Sequence, residues 1–422
     1  MDKLLVHGNG SLRGSINISG SKNASLPILA ATLLSSESSI VRRVPDVSDT
    51  NYMLQILRSL GAEVERSSGT VRVEPAEISP EAPYDLVRKM RASICVMGPL
   101  LARVGRAKIS LPGGCVIGDR PVDLHIKAMQ ELGAQIEMEG GDILLDAPRG
   151  LIGAEIDMRG KHGPTVLGTD NLMMAAVLAR GTTVIHSAAS EPEVVDLADF
   201  LIRMGARIKG AGSRRIVIEG VEELKGVEHT IIPDRIEAGT FMVAGAMAGE
   251  GVTLRRICRE HLEAATGILE EAGHSVIFND SGTEATVTPG DSPRGCDITT
   301  APYPGFPTDM QAQFTAMFAT TPGISVVEDT IFPQRFMHCS EMKRMGADIK
   351  VDGGRALVHG VASLSAAPVM ASDLRASAAL VLAALKADGT TEINRLYHID
   401  RGYEHIDEKL LQLGGKVERV PA

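Results

Sequence analysis

The chain has 422 residues, 44% of them hydrophobic and 23% charged, which is a globular composition, and at roughly 150 residues per domain it predicts two or three domains. Its net charge of −10, from 43 basic and 53 acidic residues, and its lack of tryptophan argue against a broad nucleic-acid-binding surface. No apolar run approaches the roughly 18 residues of a membrane span and the N-terminus has no apolar signal-peptide core, so we expect a cytoplasmic protein with no membrane partner.

One pattern recurs six times along the chain: an amphipathic helix, a glycine and then an alternating strand. The glycines lie 68 to 73 residues apart and are Gly61, Gly133, Gly205, Gly273, Gly346 and Gly414. A glycine after an amphipathic run is typical of a helix C-terminus, because it adopts the left-handed conformation without a Cβ clash. Each repeat also contains a helix that is apolar on nearly all sides, such as NLMMAAVLA. Such helices are too short for a membrane and are predicted to be buried in protein.

Six repeats of about 70 residues predict two domains of three repeats, because a single core of that size would exceed the usual limit. The sixth repeat stops at Ala422 without its trailing strand, whereas the N-terminal LLVHGNGSLRGSINISG resembles ALVHGVASLSAAPVMAS of the fifth. We therefore predict one domain at 22–232 and a second formed by 1–21 and 233–422. Two linkers would then join the domains, which suits hinge closure over a cleft.

Polar residues stand where the buried helices begin. They are Lys22, Asn23, Arg91, Asp170, Asn171, Arg235, Glu237, Asp309, Asp373 and Arg375. Asn171 and Asp373 are expected to be helix N-caps. Lysine and arginine oppose the positive end of the helix dipole, so for Lys22 and Arg91 we favour a bound anion over a solvated charge.

The segment LPGGCVIGDRP at 111–121 differs from the other loops in holding three glycines, two prolines, Cys115 and Arg120. It has neither the GxGxxG spacing of a dinucleotide-binding turn nor the GK[ST] of a Walker loop. We predict a mobile loop that exposes its thiol, the alternative being an inert loop cysteine. Cys95, in SICVMGPL, is expected to be buried. With five cysteines and no CxxC pair, neither a disulfide framework nor a metal site is expected.

Cations occupy equivalent repeat positions in both halves of the chain. They are Lys22, Arg91, Arg120, Arg335 and Arg401. An acidic protein that gathers cations against their repulsion is expected to bind a multiply anionic ligand. Asp309 is a candidate base among them and Cys115 a candidate proton donor, although a nearby Arg120 would favour thiolate. An acid–base pair beside an anion site suggests addition or elimination on a phosphorylated or carboxylated substrate.

Seven segments together resemble one known family. They are SGSKNASLPI, LPGGCVIGDRPVDLH, PDRIEAGTF, FPTDMQAQFTA, PQRFMH, MASDLRASAALVLA and YHIDRGYE. In this order along the whole chain they resemble the UDP-N-acetylglucosamine 1-carboxyvinyltransferases, a family of enolpyruvyl transferases. The resemblance implies an α/β fold of two inside-out α/β barrels, each of three βαβαββ repeats around buried helices, with the active site in the cleft between them.

The resemblance also implies an activity. The enolpyruvyl group of phosphoenolpyruvate is transferred to the 3′-hydroxyl of UDP-N-acetylglucosamine with release of phosphate, the first committed step of peptidoglycan synthesis. Both partners are small-molecule substrates, and no cofactor is implied. The rival reactions are that of the sister enzyme, which acts on shikimate 3-phosphate, and silent binding of a nucleotide sugar. A purely structural repeat protein would leave the gathered cations unexplained.

Residue roles follow from the matching motifs. Cys115 resembles the proton donor to the methylene carbon of phosphoenolpyruvate and Asp309 the base that takes the hydroxyl proton. Lys22 and Arg401, with Arg120, resemble the residues that hold phosphate and carboxylate, and Asn23 those that orient the reacting groups. Contacts to the nucleotide sugar are implied for Arg91, Arg120, Pro121, Val122, Asp123, Leu124, Thr165, Val166 and Ile331. The second domain's cleft wall is implied to include Arg335, Asp373 and Arg375. The segment HGPTVLGTDN departs from the SVGAT of the family, and Cys115 implies alkylation by fosfomycin.

Overall fold

The computed structural model describes residues 2–110, 122–161 and 163–421, and in this part of the chain it is a mixed α/β protein. Its internal contacts divide the chain into two compact units. The N-terminal unit is formed by the described residues of 20–232, and the C-terminal unit by those of 2–19 and 233–421. Each unit contains three repeats, and each repeat contains a buried helix, a surface helix and a four-stranded sheet.

The N-terminal unit has the following bounds. Its buried helices are Lys22–Ala31, Met97–Val104 and Val166–Ala176. Its surface helices are Ser48–Ser59, Asp123–Glu131 and Pro192–Arg203. Shorter helices are Thr32–Leu34, Tyr84–Val87 and Arg91–Val96. Its strands are Ser39–Arg42, Ala62–Ser67, Thr70–Pro75, Glu81–Ala82, Arg106–Ser110, Gln135–Glu139, Asp142–Asp146, Glu155–Asp157, Arg159–Gly160, Gly163–Pro164, Thr182–His186, Arg207–Lys209, Arg215–Glu219 and Glu228–Thr230.

The C-terminal unit repeats this order. Its buried helices are Arg235–Ala248, Gln311–Phe318 and Leu374–Leu385. Its surface helices are Glu263–Glu271, Met337–Arg344 and Ile406–Gln412. Short 3₁₀ helices are Arg259–His261, Thr308–Met310 and Leu396–Arg401. Its strands are Asp2–His7, Leu12–Asn17, Gly249–Arg255, Ser275–Phe278, Glu284–Thr288, Ile298–Thr299, Ile324–Glu328, Asp348–Asp352, Arg355–His359, Leu364–Ser365, Pro368–Met370, Ala387–Asp388, Thr390–Asn394 and Lys416–Pro421.

The sheets link the repeats of a unit to one another. In the first repeat Val41 pairs antiparallel with Val71 of its own hairpin and parallel with His229 of the third repeat. The last strand of the third repeat thereby joins the sheet of the first, and the three repeats of the unit form a closed set. The strand Asp2–His7 lies inside a sheet of the C-terminal unit, where Val6 pairs antiparallel with Thr391 on one side and Val417 on the other.

Glycines terminate the surface helices as the sequence predicted. The six repeat glycines, Gly61, Gly133, Gly205, Gly273, Gly346 and Gly414, all have φ between 85° and 110°. A residue with a Cβ is strained in this conformation. Two further glycines are required by close packing, because a Cβ on Gly220 or Gly360 would lie 1.6 Å from the carbonyl oxygen of Ala179 or Thr321, respectively. The repeated glycines therefore reflect backbone geometry shared by the repeats.

The core of each unit is formed by its buried helices. In the helix Val166–Ala176 every residue from 168 to 176 is buried, and in each unit the buried helices contact one another. Cys95 is fully buried, as predicted. This arrangement confirms the predicted α/β fold of two three-repeat inside-out barrels. Among the described residues, none of the helices has the length and hydropathy of a membrane span.

Candidate active-site residues

Three of the predicted site residues, Cys115, Arg120 and Pro121, lie outside the described part of the chain. Their roles stay predictions.

Lys22 is the first residue of a buried helix, where Ser21 is the N-cap and accepts a hydrogen bond from the Ala24 N–H at 3.3 Å. The Lys22 Nζ lies 3.4 Å from an oxygen of Asp49, which is only 2% exposed. Asn23 follows on the helix and is half-buried. The ion pair with Asp49 offsets the unfavourable position of an ammonium at the positive end of a helix dipole. Lys22 thus has a fixed position at the helix start.

A second polar cluster of the N-terminal unit centres on Asn171. Its amide nitrogen donates to Ile94 O at 2.9 Å and to His125 Nδ1 at 3.0 Å, and its oxygen accepts from the Gly98 N–H at 2.9 Å. Because Nδ1 accepts, the proton of the neutral imidazole is on Nε2. Burial, followed by the positive charge of Arg91, lowers the pKa of His125 to about 4. Asn171 therefore joins two buried helices to the start of the surface helix Asp123–Glu131.

The N-cap expectation for Asn171 is wrong. Asn171 lies within the helix Val166–Ala176, whose N-cap is Thr165, and the Thr165 hydroxyl accepts from the Gly168 N–H at 3.2 Å. Val122 stands at the cap position of the helix Asp123–Glu131, and the half-buried side chains of Val122, Leu124 and Val166 pack against the core of this unit. The candidate nucleotide-sugar contacts Val122, Leu124, Thr165 and Val166 therefore lie at the starts of two helices.

In the C-terminal unit the carboxylate of Asp309 lies between two guanidinium groups. Arg335 donates to Oδ1 at 2.7 Å, and Arg375 donates to Oδ2 from Nη2 at 3.1 Å and from Nε at 3.3 Å. Arg375 is 1% exposed, whereas the Asp309 side chain is 25% exposed. Burial alone would lower the pKa of Arg375, but Asp309 and Tyr403 raise it above its usual value. Two buried cations therefore hold a partly accessible carboxylate.

The segment that carries Arg335 is anchored by a buried acid, Asp329. Asp329 accepts hydrogen bonds from the Thr300 and Thr308 hydroxyls at 2.9 and 2.6 Å, and from the backbone N–H groups of Ile331 and Phe332 at 3.0 and 2.8 Å. These bonds connect the end of the strand Ile324–Glu328 with Thr308, the neighbour of Asp309, and with the backbone of half-buried Ile331. Asp329 was not predicted from the sequence, because nothing in the residues around it distinguishes it from a surface acid.

Asp373 is the N-cap of the helix Leu374–Leu385, as predicted, and its carboxylate accepts from the N–H groups of Arg375 and Ala376 at 2.9 and 3.1 Å. The cap fixes the first turn, from which Arg375 reaches Asp309. Arg401 ends the 3₁₀ helix Leu396–Arg401 and is half-buried. Burial, and after it the charge of Arg401, lowers the pKa of His398.

Several partners of the predicted residues were within reach of the sequence motifs. His125 belongs to RPVDLH and Tyr403 to YHIDRGYE, and both stand within five residues of a predicted site residue. Lys22's partner Asp49 lies 27 residues away, with no local signal. Within the described ranges, no group of three or more His, Cys, Asp or Glu side chains is arranged to hold a metal ion.

Comparison with known proteins is consistent along the whole chain. Residues 6–410 match the family of EPSP synthase (3-phosphoshikimate 1-carboxyvinyltransferase). The UDP-N-acetylglucosamine 1-carboxyvinyltransferase of Akkermansia muciniphila is 72% identical over 421 residues, covering 100% of this chain and 99% of the relative. The protein of the same name from Methylacidiphilum infernorum is 56% identical, with the same coverage. The crystal structure of the enolpyruvyl transferase NikO from Streptomyces tendae is 26% identical with a TM-score of 0.89, covering 100% of this chain and 99% of that one.

Proposed function

The chain belongs to the EPSP synthase (3-phosphoshikimate 1-carboxyvinyltransferase) family, and on that premise we propose that it transfers the enolpyruvyl group of phosphoenolpyruvate to the 3′-hydroxyl of UDP-N-acetylglucosamine. The observation that carries this proposal is the 72% identity, over the full chain, with a relative named for that acceptor. The reaction is the first committed step of peptidoglycan synthesis, so the protein serves cell-wall biogenesis, cell shape and cell division. It acts in the cytoplasm on two small-molecule substrates and needs no cofactor.

The chemistry is an addition followed by an elimination. The hydroxyl oxygen of the acceptor bonds to C2 of phosphoenolpyruvate while the methylene carbon gains a proton, and the hydroxyl loses its own proton to a base. The bond between C2 and the phosphate oxygen then breaks, the methyl carbon formed in the addition loses a proton, and the double bond is restored. Cys115 is the proton donor in the addition, and Asp309 is the base. Fixed charges around the cation-like transition state stabilise it by preorganised electrostatics.

The contacts of Asp309 support its role. Arg335 and Arg375 form ion pairs with the carboxylate and fix the orientation of its plane. The partial exposure of Asp309, beside almost completely buried arginines, agrees with contact to a ligand.

The anionic groups of the substrates require fixed cations. We propose that Lys22 and Arg401, with Arg120, bind the phosphate and carboxylate of phosphoenolpyruvate, and that Asn23 orients the reacting groups. The Asp49 carboxylate beside Lys22 supports this, since the ion pair holds the ammonium in one place. A positive group placed in advance binds an anion without the entropy loss of ordering a free lysine.

The nucleotide sugar is proposed to contact the N-terminal unit through Arg91, the segment 120–124 and Thr165 with Val166, and the C-terminal unit through Ile331. The observation that supports this is the bridge from Asn171 to His125, because it fixes the start of the helix Asp123–Glu131 relative to the helix that Thr165 caps. We further propose that Asp373 and Arg375 contribute to substrate binding, and that the two compact units are independently folding domains.

The test is a phosphate-release assay with phosphoenolpyruvate and purified full-length protein. Release is expected with UDP-N-acetylglucosamine and not with shikimate 3-phosphate. Release only with the shikimate acceptor would identify the sister reaction, and tight binding of the nucleotide sugar without release would indicate a silent binding protein. Either result contradicts the proposal.

The role of Cys115 has a separate test by fosfomycin labelling, read as a mass increase of the intact protein. The wild-type protein should be labelled and Cys115→Ser should not. Cys258→Ser, which removes a half-buried thiol elsewhere, is the matched control and should label normally. Labelling of Cys115→Ser at the wild-type level would show that another group reacts.

A further inference from the structure

A buried polar cluster lies beneath Asp309 in the C-terminal unit. It contains Tyr403, Gln313 and Thr240, which are at most 2% exposed, and two of them come from different buried helices. Gln313 Nε2 lies 2.9 Å from the backbone oxygen of Asp309 and 3.1 Å from the Tyr403 hydroxyl, and the Tyr403 hydroxyl lies 2.9 Å from Thr240 Oγ1. Burying a polar group costs free energy unless the group is hydrogen-bonded, and a connected buried cluster of this kind holds its members in fixed positions.

The directions of these hydrogen bonds follow from their ends. The backbone oxygen of Asp309 only accepts, so Gln313 must present its NH₂ there and not its oxygen. The Thr240 hydroxyl donates to Ile236 O at 2.8 Å and therefore accepts from the Tyr403 O–H. The second N–H of Gln313 lies within reach of both the Tyr403 oxygen and Thr240 Oγ1, each at 3.1 Å. The bonds thus connect the backbone of a buried helix with the backbone of Asp309.

Tyr403 also supports the carboxylate of Asp309 by a second route. The guanidinium of Arg375 lies over the Tyr403 ring at 5.3 Å from its centre, and the same guanidinium donates to Asp309 Oδ2. A cation is attracted to the face of an aromatic ring, so the ring restricts the guanidinium to the plane from which it reaches Asp309. Burial raises the pKa of Tyr403, and Arg375 opposes this effect only in part. The raised pKa keeps the phenol protonated, as its donation to Thr240 requires.

The amide oxygen of Gln313 shows how much the cluster depends on donors. This oxygen is buried and has no hydrogen-bond partner in the described part of the chain. An unpaired buried acceptor is unfavourable. The contribution of Gln313 to the cluster is therefore its NH₂ group, which lies within hydrogen-bond distance of Asp309 O and the Tyr403 hydroxyl. A residue of similar shape without an NH₂ group would not replace it.

From these contacts we propose that Tyr403 and Gln313 are positioning residues for Asp309: Gln313 fixes its backbone, and Tyr403 fixes both Gln313 and the guanidinium that orients its carboxylate. This inference rests on the proposed function, in which Asp309 takes the hydroxyl proton. Neither residue is proposed to touch substrate. Their effect is on the geometry of the base, and misplacement by a fraction of an ångström reduces the rate of proton transfer more than it reduces binding.

The test compares Tyr403→Phe with wild-type protein in the phosphate-release assay. This variant keeps the ring beneath Arg375 and removes only the hydroxyl. We expect kcat to fall about tenfold, which corresponds to about 1.4 kcal/mol of barrier, while KM for each substrate stays within about twofold. Gln313→Met, of similar length but without the NH₂ group, is the second variant and should show the same division between kcat and KM.

A double-mutant cycle separates positioning of Asp309 from a merely structural role. Adding Tyr403→Phe to Asp309→Asn should not slow the residual reaction further, because the group being positioned is already lost. A structural role would slow both backgrounds by the same factor. Tyr84→Phe is the matched control, since Tyr84 also has an arginine over its ring, at 5.5 Å, but is 58% exposed and lies in the other unit.

The outcomes are distinguishable. Full kcat in both Tyr403→Phe and Gln313→Met, or an equal slowing in the Asp309→Asn background, would overturn the positioning role while leaving the proposed function intact. If wild-type protein releases no phosphate with UDP-N-acetylglucosamine, the proposed function fails, and the positioning role fails with it.

Discussion

Acidification is expected to destabilise the N-terminal unit through one buried histidine. His125 is 4% exposed, and its Nδ1 accepts a hydrogen bond from Asn171. A second proton on this ring would have to displace that bond and place a charge in a desolvated site near Arg91. Burial, and then the charge of Arg91, accordingly lowers the pKa of His125 from 6.5 to about 4.

The sign of the effect follows from proton linkage. Because the pKa is lower in the folded state, the unfolded chain binds the proton first as the pH falls. The contribution of His125 to the free energy of unfolding is therefore complete above about pH 6.5 and is lost between that pH and about 4. A difference of about 2.5 pKa units corresponds to about 3 kcal/mol, of which about 2 kcal/mol is lost between pH 7 and pH 5.

The measurement compares wild-type protein with His125→Asn. The asparagine oxygen takes the place of Nδ1 and can accept from Asn171, but it cannot gain a proton. Hydrogen exchange of the amides of the buried helix Met97–Val104 reports the free energy of opening of this unit at each pH. We expect the loss between pH 7 and pH 5 to be about 2 kcal/mol larger in wild-type protein than in His125→Asn. His338, whose pKa burial also lowers to about 4, is present in both proteins and its effect cancels.

Two results would refute this reasoning. One is an NMR titration in which the His125 ring protonates near pH 6.5 in the folded protein. The other is an equal pH dependence of opening in wild-type protein and His125→Asn, which would show that other groups dominate the acid sensitivity of this unit.

Three further predictions concern the C-terminal unit. Asp309→Asn should bind both substrates, as measured by calorimetry, yet turn over at least ~100-fold more slowly, and normal turnover would exclude it as the base. Lys409→Met should destabilise the unit by roughly 3–5 kcal/mol in urea unfolding, because it leaves the carboxylate of Glu237, which is 1% exposed, without its paired ammonium. Adding Glu237→Gln to Lys409→Met should recover most of this stability, and no recovery would contradict the assigned cause. Deletion of residues 1–20 removes the inner strand Asp2–His7 from its sheet. It should abolish hydrogen-exchange protection of amides in the C-terminal unit while the N-terminal unit stays protected. Loss of protection in both units would contradict the proposal that they are separate domains.

The repeat architecture was accessible from sequence because its signals are local. A glycine with positive φ, the amphipathic helix before it and the alternating strand after it are each defined within about ten residues. Burial of the apolar helices also followed from sequence, since exposure to water is unfavourable for a helix that is apolar on every side. The cap at Asp373 was also predicted from a local signal, because an aspartate directly before an apolar helix is typical of an N-cap.

The interpretation of Asn171 shows the limit of local patterns. A polar residue near the start of a buried helix resembles an N-cap in sequence, yet this helix begins earlier, at Val166, and the amide of Asn171 serves other segments. Its hydrogen-bond partners lie 46 to 77 residues away. No pattern within one repeat predicts them, because the pairing arises only when the third repeat packs against the second.

Sequence by itself determined the six-fold repetition, the buried helices and the types of charged residue available for chemistry, because backbone preference and hydropathy act on neighbours in the chain. Only the tertiary structure decided that Asp309 would lie between Arg335 and Arg375, 26 and 66 residues further along. Electrostatic attraction and hydrogen bonding act over a few ångströms of space regardless of chain separation. The groups that orient a reactive carboxylate are therefore known only once the fold has brought them into contact.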